Sequence, residues 1–98
     1  MNVKIMKLMN GDDVIADIKY GNDNIVILSG SAKIMMFPSE EGGMGLALMP
    51  WLPYSDDKEV EIKEKNILIT VIPSSQILNE YNERFGSGLV VPDSDLIL

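Results

Sequence analysis

The chain has 98 residues, 46% of them apolar, with fifteen acidic residues against eight basic ones and a formal net charge of −7 at pH 7. That is one domain's worth of polypeptide with enough apolar residues for a core. Cysteine and histidine are both missing, which excludes disulfides, thiol nucleophiles, Cys/His zinc sites and imidazole catalysis.

Residues 3–9 read as an apolar-rich strand with Lys4 and Lys7 interspersed, ending at the turn dipeptide Asn10-Gly11. Residues 13–20 alternate. Val14, Ala16, Ile18 and Tyr20 face one way and Asp13, Asp17 and Lys19 the other, with Ile15 the exception on the polar side. A period of two with one charged face predicts a half-buried antiparallel strand. After the turn Gly21-Asn22-Asp23-Asn24 comes the β-branched run Ile25–Leu28. Ser29-Gly30-Ser31 then allows a bend or bulge before a further strand at Ala32–Phe37. Residues 38–57 mix glycine and proline with Met44, Met49 and Trp51, and predict a long hairpin excursion with a short strand near 44–49. Strand signals resume at Val60–Ile62 and again over 66–72. The second run is apolar on both sides except at Thr70, so both of its faces are expected to be covered. Pro73 stops it. Residues 74–85 carry a helical stripe of Ile77, Leu78, Tyr81 and Phe85, with Ser74 or Ser75 as N-cap and Gly86 as the terminating glycine. The tail to Leu98 has two short apolar runs, Leu89–Val91 and Leu96–Leu98.

This order predicts a single all-β domain. Barrel strands occupy 3–37 and 58–73, a long insertion 38–57, and a short helix and tail 74–98. No apolar run reaches the ~18 residues a spanning helix needs. Met1–Lys7 meets Asp12 and Asp13 too early for a signal peptide, so a cytoplasmic protein without membrane partners is expected.

The acidic pattern Asp12-Asp13-x-x-x-Asp17 would place Asp13 and Asp17 on one strand face, an arrangement a hard cation could use for phosphoryl chemistry. A solvated strand face explains it more simply, and there is no calcium-loop frame. Gly42-Gly43-Met44-Gly45 lacks the Gly-Lys-Ser/Thr ending of a phosphate loop. No metal, cofactor or catalytic residue is therefore expected, and the chain reads as a non-enzyme. Met44, Met49 and Trp51 suit either a partner-binding surface or a cap over the end of a barrel. With seven lysines and one arginine, long-range repulsion of nucleic acid is expected unless the cations cluster.

Two separated segments resemble the Sm-like family, the ring-forming RNA-binding proteins that include bacterial Hfq. Leu8-x-Asn10-Gly11-x-x-Val14-x-Ala16-x-Ile18, followed by Asn22-Asp23-Asn24-Ile25-Val26-Ile27-Leu28, is similar to the first family motif. Ile62-Lys63-Glu64-Lys65-Asn66-Ile67 is similar to the second, and Thr70–Ser74 to the end of the Hfq core. The resemblance covers 3–36 and 60–75. It implies a strongly bent, five-stranded antiparallel barrel of the Sm-like (SH3) type, joined through its edge strands into a cyclic homo-oligomer. It also implies that Asn22, Asp23 and Asn24, with Lys63, Lys65 and Asn66, line a pore and hold single-stranded RNA or DNA. A non-catalytic role in RNA or DNA processing follows, with an assembly scaffold acting through the Met/Trp-rich insertion as the alternative. The sequence departs from the family at Ala16, where a glycine permits the bend, and at Lys63-Glu64 in place of Arg-Gly. The usual amino-terminal helix is missing, the loop between the third and fourth strands is far longer than usual, and a carboxy-terminal helix is added. Small Sm-like proteins of this divergent kind resemble those coded by marine phage genomes.

Overall fold

The computed structural model describes residues 1–85. The expected helix terminator Gly86 and the two apolar runs of the tail lie outside the described residues. Six strands and one helix follow in chain order: β1 (Val3–Leu8), β2 (Asp13–Tyr20), β3 (Ile25–Pro38), β4 (Met44–Pro50), β5 (Glu59–Lys63), β6 (Ile67–Val71) and α1 (Ser75–Phe85). A single turn of 3-10 helix, Glu64–Asn66, joins β5 to β6.

All pairings are antiparallel, in the order β4-β3-β2-β1-β6, with β5 also on β3. Six strands stand where five are expected because the fourth ribbon is broken in two. β4 pairs with β3 from Ala32 to Pro38, and β5 pairs with the same strand from Ile25 to Ser29. The chain leaves this edge at Trp51 and rejoins it at Glu59, so the expected five-ribbon bent sheet is kept.

The expected hairpin of the 38–57 insertion is formed by the end of β3 and by β4. β3 runs through Ser29–Ser31 to Pro38 and turns back through residues 39–43, where Gly42 and Gly43 have φ of 91° and 76°. These are angles that favour glycine.

The bend in β3 sits at Gly30. Ile15 pairs with Ala32 but Asp17 with Ser29, so β3 carries one extra residue opposite Ala16. Gly30 takes φ +59°, as in a glycine-centred β-bulge. The glycine missing at position 16 is thus replaced by one across the ladder, and Ala16 packs fully buried.

Two apolar clusters hold the sheet. Met6, Leu8, Val14, Ala16, Ile18, Val26 and Leu28 fill the barrel, with Trp51, Ile62 and Ile67 packed against them. On the opposite face Ile15, Ala32, Leu48 and Tyr81 form a second core, flanked by Ile77 and Phe85 of α1. Ile15, the odd residue on the polar side of β2, is the one the helix covers. Ser74 is the N-cap: its Oγ accepts the Ile77 N–H at 3.3 Å, and its carbonyl accepts the Leu78 N–H at 2.9 Å.

Two burial expectations are corrected. Tyr20, expected on the covered face of β2, is 65% exposed, because it lies at the strand end beyond the last core residue. β6, expected to be covered on both faces, leaves Leu68, Ile69 and Val71 exposed, with Ile72 after it. Among the described residues it pairs only with β1, and none of them forms a strand on its other edge.

Candidate nucleic-acid interface

The β2–β3 turn is built by the residues that occupy it. The Ile25 N–H donates to the Asn22 carbonyl at 3.2 Å, and the two central residues, Asp23 and Asn24, have φ of 59° and 62°. This is the type I′ pattern, and Asp and Asn tolerate the left-handed region better than most side-chain-bearing residues. The backbone geometry alone thus accounts for the residue types here, and their side chains are left exposed.

The second turn begins where β5 ends. Lys63 lies opposite Ile25 across the β3–β5 ladder. The next N–H, that of Glu64, donates to the Asn24 carbonyl at 2.8 Å. At its far end the Asn66 carbonyl accepts the Met9 N–H at 2.8 Å. The 3-10 turn therefore bridges the barrel mouth from the β2–β3 turn to the β1–β2 turn.

The structure brings together two segments about forty residues apart in the chain. Asn22, Asp23, Asn24, Lys63, Lys65 and Asn66 are all exposed. None of their side chains enters an ion pair or a hydrogen bond among the described residues. Two ammonium groups and three carboxamides are thereby free for a ligand, with Asp23 and Glu64 the opposing charges. Tyr20, just before the turn, shares a hollow of about 150 Å³ with Glu64, Ile67 and Thr70. An aromatic residue directly before a turn glycine was the available signal for this exposed ring.

The other sequence candidates separate. Met44 and Met49 stand exposed on β4, joined by Met35, Met36, Phe37 and Leu46 of the same hairpin. Trp51 does not stand with them. It is half-buried against the barrel core, and its Nε1–H donates to Asp12 Oδ2 at 3.2 Å. Asp12 also meets Lys33 at 3.3 Å and the Asn10 amide at 3.3 Å. The indole N–H is the main cause that holds the Asp12 carboxyl below its usual pKa, against the opposing effect of its desolvation, with Lys33 and Asn10 adding to it. The other acids of that pattern are engaged too: Asp13 pairs with Lys7 at 2.7 Å, and Asp17 accepts the Asn2 N–H at 2.9 Å.

Among the described residues no helix is long and apolar enough to cross a membrane. No curated protein matches the chain. The Sm_like domain model matches residues 5–82, which include both turns, β2 to β6, all of β1 but its first two residues, and most of the helix, although the match says nothing of a phage origin. A bent antiparallel barrel whose two distant turns close one mouth, together with that match, places the chain in the Sm-like family.

Proposed function

We propose that the protein assembles edge to edge into a ring and holds single-stranded nucleic acid, RNA foremost, around an opening lined by Asn22, Asp23, Asn24, Lys63, Lys65 and Asn66, without catalysis. Members of the Sm-like family typically bind RNA and form rings. The observation that carries the reading is the backbone bond between the two turns, Glu64 N–H to Asn24 carbonyl at 2.8 Å. It sets the carboxamides of one turn beside the lysines of the other.

The net charge of −7 opposes the approach of a polyanion. Screening over about 8 Å in physiological salt confines that repulsion, so a circle of lysines acts at short range. Lys63 and Lys65 would meet phosphates, while Asn24 or Asn66 would read base edges through donor and acceptor together.

Short labelled RNA should raise fluorescence anisotropy saturably, with affinity falling steeply as salt rises. Lys63→Ala with Lys65→Ala should weaken binding and flatten the salt dependence. Equal affinity and slope in this double variant would remove the pore reading.

The exposed hairpin side chains Met36, Phe37, Met44, Leu46 and Met49 favour a second reading, a scaffold that holds a protein partner there. Capture of a partner that is abolished by deleting Met44–Trp51, yet indifferent to Lys63→Ala and Lys65→Ala, would support it.

A further inference from the structure

Beside Asn66, on the side away from the β2–β3 turn, lies a cavity of about 320 Å³ lined by Leu8, Met9, Asn10, Trp51, Ile62 and Asn66. We propose that it is a nucleobase subsite, one per protomer, in which a base of a single strand stacks on the Trp51 indole while its edge meets the Asn66 carboxamide. The proposal rests on the nucleic-acid reading above and names where one base of the bound strand goes.

Four features point to a base. The lining holds no charged side chain, which disfavours phosphate or a cation and suits a neutral planar ring. Trp51 is held in place through its indole nitrogen. Its N–H is occupied by Asp12, which Lys33 in turn holds, so the π-face is what remains for a ligand. The two carboxamides are not equivalent: Asn10 is spent on Asp12 through both its amide and its oxygen. Asn66 has no side-chain partner among the described residues and offers a donor and an acceptor, the complement of a base edge.

Position and size agree. Asn66, which lines the cavity, follows Lys65 directly on the exposed 3-10 turn, so the cavity adjoins the segment that carries both lysines. The volume lies at the small end of ligand cavities, ~300–1,000 Å³, a size for one nucleoside rather than a longer segment. An aromatic side chain from a protein partner would fill the apolar part but leave the Asn66 carboxamide unmatched.

Trp51 is the chain's one tryptophan, so its emission reports on this cavity directly. Titrating the intact protein with unlabelled single-stranded RNA should quench that emission with the half-saturation found for binding by anisotropy. An abasic sugar-phosphate oligomer should compete at the lysines and leave the emission unchanged. Trp51→Leu should bind on the order of ten-fold more weakly than the parent. RNA binding by anisotropy without quenching would overturn the subsite and leave the pore reading standing. Loss of both signals would remove the two together. Emission that follows protein dilution and ignores RNA would assign the cavity to a second copy of the chain and also overturn the proposal. Should Trp51→Leu fail to fold, quenching of the parent protein decides.

Discussion

Among the described residues Tyr81 is the largest completely buried side chain. Its hydroxyl donates to the carbonyls of Gly30 at 2.9 Å and Ser29 at 3.3 Å. Burial pushes its pKa from about 10 up to about 12. The folded value lies above the unfolded one, so this contribution to stability is complete below pH 10 and drains away as pH rises toward 12. Thermal melts should therefore show the parent losing stability between pH 10 and 12 more steeply than Tyr81→Phe. At pH 7 the variant should be less stable by about 1–2 kcal/mol, because the two carbonyls lose their donor. Parallel curves for the two proteins would mean that the hydroxyl carries no such load. The helical stripe made Tyr81 legible in the sequence as a packing residue. Its partners were not legible, since no local pattern connects residue 81 to a strand bend some fifty residues earlier. Trp51 and Asp12 make the same point: each was read in its own neighbourhood, and each is explained by the other.

Strands and turns followed their local patterns closely, and the departures have identifiable causes. The two-residue period located β2, and Ser74, Ile77 and Tyr81 located α1. Ser29-Gly30-Ser31 interrupts the apolar run and predicts two strands, whereas the bulge lets the ladder continue through the bend as the single strand β3. Gly30 is the residue on which that bend depends. A Cβ there would lie 2.9 Å from the Tyr81 hydroxyl and 3.0 Å from the Phe85 carbonyl, at a φ that L residues avoid. Gly30→Ala should lower stability by about 2 kcal/mol or more in chemical denaturation. Gly21→Ala, where the nearest atom would be 3.4 Å away and φ is not positive, should change it by less than ~1 kcal/mol. A neutral Gly30→Ala would place the origin of the bend elsewhere.

At the level of the molecule, the described residues leave two sheet edges open: among them β6 pairs only with β1, and β4 and β5 pair only with β3. Along the first edge Leu68 is 59% and Ile69 52% exposed, an arrangement that invites association in a lone chain. Two unlike edges pair head to tail, and such contacts close into a ring when the rotation per subunit divides a full turn. Leu68→Glu should move the solution mass, measured by light scattering, from an oligomer toward the 98-residue monomer. A parent protein that is already monomeric would refute the ring. In the proposed ring each subunit would add a net charge of −7, so affinity for RNA would have to come from Lys63 and Lys65 at short range rather than from the global field.

Neighbours along the chain suffice to set the alternation of β2, the turn at Asp23-Asn24, the helix with its cap, and the residue types that carry the Sm-like motifs. These are set by backbone sterics and by a hydrophobic period a few residues long. Tertiary structure alone decided that residues 22–24 and 63–66 share one mouth, and that the fourth ribbon breaks and resumes on the same edge. It also decided that Trp51 turns inward to Asp12 while β6 stays bare. Each of these is a contact between distant segments, chosen by which apolar faces bury together and which backbone groups find partners across the sheet. A one-dimensional pattern carries neither quantity.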